Sequence, residues 1–172
     1  MKGKAKIIST GHAVWHWNDS SSSRPSSFED IALVTNQWHA IDKGYVKNKE
    51  IIGSLRFSKK WLKILDKYNS EKSTIKDDKI KVVVLTHTEK YTSDWKKMFG
   101  LLIKLAQRDD INLCILPHVR GMSNMKPPKE LKNSWDNKST LDVAIKNSDI
   151  VIFWESSGIF EGVVRNKMIF FL

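Results

Sequence analysis

The segment DIVIFWESSGIFEG, residues 149 to 162, gathers the residue types that hold a phosphate group. Its apolar run reads as a buried strand that delivers Glu155, Ser156 and Ser157 to a sheet edge, after which Gly158 opens a helix. The first amides of a helix have no partner within it, so two hydroxyls beside them form an anion site that the helix dipole reinforces. Glu161, about one turn further on, is spaced to accept hydrogen bonds from sugar or ribose hydroxyls. The same spacing also suits a local role, with Ser157 as a helix cap and Glu161 completing an arrangement like a capping box.

Two further loops carry chemistry. His118 follows the run NLCIL in LPHVRG, where its imidazole and the neighbouring Arg120 could reach a diphosphate. His12 follows a strand and a glycine in STGHAV, the place for a general base or a phosphate ligand across a cleft. His16 is its rival, while His39 and His87 look like ordinary loop histidines. No pair of His, Cys or acidic residues has the spacing of a tetrahedral metal site, and there is no Walker loop, dinucleotide fingerprint or G-x-S-x-G elbow. Metal-independent chemistry without a cofactor is the expectation.

The elements that must position these residues fall into two parts. KAKIIST, FEDIALVTN and KEIIGS read as three short strands at regular spacing, with one or two helical turns over WHAIDKGY and apolar residues at helical spacing from Ser58 to Tyr68. The polar stretch NSEKSTIKDDK has linker composition. Beyond it the pattern alternates: strand KVVVLT, helix Trp95 to Gln107, strand NLCILP, a Pro- and Lys-rich loop, helix LDVAIKN, strand DIVIFW, helix GIFEGVVRN and strand KMIFFL. Nearly continuous apolar strands are buried on both faces, as a parallel sheet between helix layers requires. The expected fold class is α/β, a Rossmann-like parallel sheet with flanking helices, preceded by a partial second α/β domain. The expected boundaries are 1–68 for the partial domain, 69–79 for the linker and 80–172 for the Rossmann-like domain. The abrupt start and the apolar ending IFFL suggest a chain cut at both ends.

Length and charge narrow the class. At 172 residues the chain can bury one ordinary core or one domain and part of another. The net charge of +10 invites a nucleic-acid partner, but the lysines are spread along the chain and do not alternate with aromatics. Nucleic acid is therefore not expected; attraction to anionic substrates or to an anionic membrane face is. No signal peptide and no run near the roughly 20 apolar residues of a membrane span is present. A cytoplasmic location follows, with peripheral contact at the inner membrane face. The single Cys114, inside INLCIL, is expected to pack as a small hydrophobe.

As a set, the glycine-histidine near the front, Gly53-x-x-Arg56-x-x-x-x-Trp61, Pro117-His118 and SDIVIFWESSGIFEGVVRNKMIFFL resemble the carboxyl-terminal part of GT-B transferases. The similarity is to those that build bacterial surface polysaccharides and to the CDP-glycerol glycerophosphotransferases. It implies a nucleotide-diphosphate donor on Ser156, Ser157 and Gly158, with Glu161 near the nucleoside, His118 near a phosphate and His12 as base toward a polysaccharide or lipid-linked acceptor. Arg56 belongs to the substrate-binding set that the resemblance implies. The chain departs from the family's K-P-H-P loop at Leu116 and Val119, and Ala13 stands where a glycine usually follows the histidine. The non-hydrolysing UDP-sugar 2-epimerases, with a D-S-G-G-x-x-E-E turn, are similar over Glu155 to Glu161 and differ at Gly162. A non-catalytic nucleotide- or polyanion-binding fragment is the remaining alternative.

Overall fold

A computed structural model describes residues 8–10, 30–35, 37, 48–68, 78–86, 94–118, 126–154 and 156–172. The chain divides into two compact units, 1–64 and 65–172. In the first, β1 (Ile8–Thr10), β2 (Ile31–Val34) and β3 (Lys49–Ile51) form a parallel sheet in sequential order. A 3-10 turn, Leu55–Phe57, and α1 (Lys59–Tyr68) follow; the last residues of α1 belong to the second unit. Gly53 has φ +71°, a left-handed backbone that side chains with a Cβ rarely adopt.

The second unit is an α/β sandwich. Its strands β4 (Ile80–Leu85), β5 (Ile111–Leu116), β6 (Ile150–Phe153) and β7 (Met168–Phe171) run parallel in the order β5-β4-β6-β7. Between them lie α2 (Trp95–Ala106), a 3-10 segment (Lys129–Ser134), α3 (Leu141–Lys146) and α4 (Ile159–Val164). The unbroken run Val82–Leu85 makes β4 the central strand, because alternate side chains enter two separate cores. Val82 and Val84 pack with Met98 and Leu102 of α2, and with Leu131 of the 3-10 segment. Val83 and Leu85 pack with Ala144 and Ile145 of α3 on the opposite face. This is the Rossmann-like sheet with helices on both faces that the apolar pattern implies.

One element departs from the sequence-based expectation. The Pro- and Lys-rich loop after β5 ends in the 3-10 segment, whose Leu131 is fully buried, and Trp135 then forms a single parallel bridge with Ile115. The Asp136 amide donates to the Ile115 carbonyl at 2.9 Å. Only two apolar residues, Leu131 and Trp135, interrupt a polar stretch here, too few to register as a periodic pattern. With that bridge as a vestigial strand, the sheet reads Trp135, β5, β4, β6, β7, the order of a doubly wound sheet with its reversal between β4 and β6.

Candidate functional site

The connection leaving β4 leads to β5 on one side, and that leaving β6 leads to β7 on the other. This reversal of direction is the place where doubly wound sheets bind ligands, at the carboxyl ends of the strands. The turn that leaves β6 at this point carries Ser156, Ser157 and Gly158. Thr86 stands at the end of β4, and His118 follows β5 on its far side. Parallel strands lie about 4.8 Å apart, so the ends of β5 and β6 flank that of β4 at about 10 Å from each other.

The turn has a definite internal bonding pattern. Ser156 Oγ accepts from the Gly158 amide at 3.2 Å. The amides of Ile159, Phe160 and Glu161 donate to the carbonyls of Ser156, Ser157 and Gly158 at 3.2, 3.3 and 3.0 Å. Those amides are thus already engaged, which leaves fewer free donors than the bare helix start suggests. Among the described residues no hydrogen bond is made by the amide or the hydroxyl of Ser157, which is exposed. Ser156, whose oxygen accepts, keeps its O–H available to donate. The local cap is therefore Ser156, not Ser157, and α4 carries no side-chain cap on its N-cap residue Gly158.

Gly158 is buried because α4 lies hard against the sheet and α3. A Cβ built there would stand 3.0 Å from Leu85 Cδ1, 3.1 Å from Leu141 Cδ2 and 3.2 Å from Leu141 Cδ1. One turn on, a Cβ at Gly162 would meet Val151 Cγ2 at 3.3 Å and Ile169 Cδ1 at 3.4 Å. The Gly158 and Gly162 stripe lets the backbone approach the sheet, which holds the serine turn close to the strand ends. Glu161, between them in the helix, is also buried, at 4 % exposure.

Thr86 joins the β4 and β5 ends. Its amide and its Oγ1 both donate to the Leu116 carbonyl, at 3.2 and 3.3 Å, and its Oγ1 accepts from the His118 amide at 3.2 Å. His118 is thereby anchored through its backbone and half-buried. Thr86 was not among the residues singled out from the sequence; its signal was a hydroxyl residue just after a buried apolar run.

Arg56 belongs to the other unit, in the 3-10 turn, where its guanidinium lies 5.3 Å from the centroid of the Phe57 ring. His12, Arg120 and Glu155 lie outside the described residues. Cys114 packs in the core shared by Val83 and Val151, as expected, with its thiol 3.9 Å from Asp136 Oδ2. Burial first, and then the Asp136 carboxylate, push that thiol up to about 11. Among the described residues no group of three or more His, Cys, Asp or Glu could hold a metal ion. No helix there is long and apolar enough to cross a membrane. Compared with protein-family models, curated proteins and solved structures, the chain matches none of them.

Proposed function

We propose that the second unit binds the phosphates of a nucleotide-activated donor, as part of a GT-B transferase that moves a sugar or a glycerol-phosphate unit to a cell-surface polysaccharide acceptor. The observation that carries this is the location of the Ser156–Gly158 turn at the reversal of the sheet, with Ser157 presenting an unengaged amide and hydroxyl. The amide and hydroxyl of Ser157 together with the Ser156 O–H make a small anion-binding surface. Such donors stabilise the negative charge that grows on the leaving nucleotide. The family resemblance makes His12 the candidate base for the acceptor hydroxyl, whose oxygen attacks the donor as the bond to the leaving nucleotide breaks. His118, held to Thr86 through its backbone, supports the phosphates from the other side of β4.

The packing at Gly162 favours a transferase over an epimerase. The epimerase turn carries a second glutamate at this position, and here a Cβ already meets Val151 and Ile169 at 3.3 and 3.4 Å.

Ser157→Ala is the clean test. It removes a hydroxyl donor but no cap, so stability should stay within about 0.5 kcal/mol. A hydrogen bond to a charged group is worth about 1.5–3 kcal/mol, so calorimetric affinity for UDP, CDP or GDP should fall about tenfold or more, with the free nucleosides barely affected. Ser156→Ala removes the Gly158 partner as well and should cost about 1 kcal/mol of stability. Diphosphate affinity unchanged in the double variant would take the turn out of the site.

A further inference from the structure

The segment from Ile52 to Ile64 exposes apolar side chains that a water-facing surface does not need. Leu55 is 65 % exposed, Trp61 43 % and Ile64 39 %, and together they line an open groove. Ile51 and Ile52 at the end of β3 are exposed beside them in the chain. The corner is held rigid by Ser58, whose hydroxyl donates to the Leu55 carbonyl at 3.0 Å and accepts from the Trp61 amide at 3.2 Å. Leu55 and Trp61 are thus displayed in a fixed relation, with little ordering left to be done on contact.

The charges on the same segment are of one sign. From Ile52 to Ile64 the chain carries Arg56, Lys59, Lys60 and Lys63 and no acidic residue. Arg56 and Lys60 line the groove itself. Lys59, Lys60 and Lys63 are exposed, and none of them forms an ion pair among the described residues. The nearest acid downstream, Asp66, already faces Arg165 Nη1 at 2.9 Å and Lys146 Nζ at 3.6 Å.

We infer that this corner docks on an anionic phospholipid bilayer. An exposed tryptophan sits at the headgroup level, leucine and isoleucine enter the acyl boundary, and long cationic side chains lie along the surface with their heads toward lipid phosphates. Three exposed lysines on one helix complement an anionic leaflet, and the apolar residues among them add the contact that a purely electrostatic partner would not use. The inference gives the expected membrane contact a definite surface, and it does not depend on the nucleotide site.

Co-sedimentation of the whole chain with vesicles tests it. The protein should partition onto phosphatidylcholine mixed with phosphatidylglycerol and stay free of phosphatidylcholine alone. Lys59→Gln/Lys60→Gln/Lys63→Gln should lower partition about a hundredfold, from about fivefold per charge. Leu55→Ser/Trp61→Ser should abolish it while the melting temperature and circular dichroism stay as in the parent. Equal partition onto both vesicles, partition onto neither, or full partition of the Leu55→Ser/Trp61→Ser variant would overturn the inference. Without vesicle binding, a concentration-dependent dimer lost in that variant would assign the patch to a second copy. Salt-sensitive binding to random duplex DNA instead would assign the cations to nucleic acid.

Discussion

Gly158 has helical backbone angles, φ −60° and ψ −19°, so its role is not a left-handed turn. What it supplies is room, because the nearest atoms to an added Cβ are the ends of the Leu85 and Leu141 side chains. Gly158→Ala should therefore cost about 1 kcal/mol, the low end for overpacking, since both side chains can give a little. Leu141→Ala in the same chain should recover part of that loss, and urea denaturation of the two single variants and the double variant would measure the coupling. Cys114 offers a second measurement at this scale. Its folded-state value is raised, so the uncharged thiol contributes to stability fully below about pH 9, and that contribution is lost as pH climbs through about 11. The stability difference between the parent chain and Cys114→Ala should accordingly shrink across that window. Thiol reagents should also react with the native protein far more slowly than with the denatured chain.

At the scale of elements, α4 is short and its ends decide its placement. Asn166 ends it with φ +54°, and the amides of Asn166 and Lys167 donate to the carbonyls of Val163 and Gly162, both at 3.0 Å. That pair of bonds satisfies two carbonyls at the helix end and turns the chain into β7. Asparagine tolerates a left-handed backbone and a β-branched residue does not. Asn166→Val should thus cost about 1–2 kcal/mol, whereas Asn166→Gly should be neutral or stabilising; thermal melts of the two variants check the sign. Beyond the turn, Ile169 faces the core while Met168, Phe170 and Phe171 remain largely exposed along β7.

For the molecule as a whole, the net charge of +10 acts at long range and the serine turn at short range. The two respond differently to salt. Non-specific attraction to a polyanion weakens steeply as ionic strength rises, whereas binding at a shaped site depends on the identity of the nucleotide. Titrations at low and physiological salt should therefore preserve the ranking among UDP, CDP and GDP while any binding of random DNA fades. Tight DNA binding with no preference among nucleotides would reverse the order in which we place the two partners.

Much of this protein is determined by sequence alone, because burial on two faces leaves a local mark. The runs at 80–85, 111–116 and 150–153 are long, apolar and flanked by polar turns, so their being parallel strands between helices was legible, as was the helix at 95–106. The serine turn was legible too, as hydroxyls and a glycine placed after such a strand. Tertiary structure decided the rest, since it depends on contacts between residues far apart in the chain. The order β5-β4-β6-β7, which puts the serine turn at the reversal, comes from non-local pairing that no single strand encodes. The bridge of Trp135 to Ile115 and the tie from Thr86 to Leu116 and His118 each span at least 20 residues of chain. Which serine caps the turn, and that Gly162 is needed for its closeness to Val151 and Ile169, follows from atomic distances that spacing along the sequence does not carry.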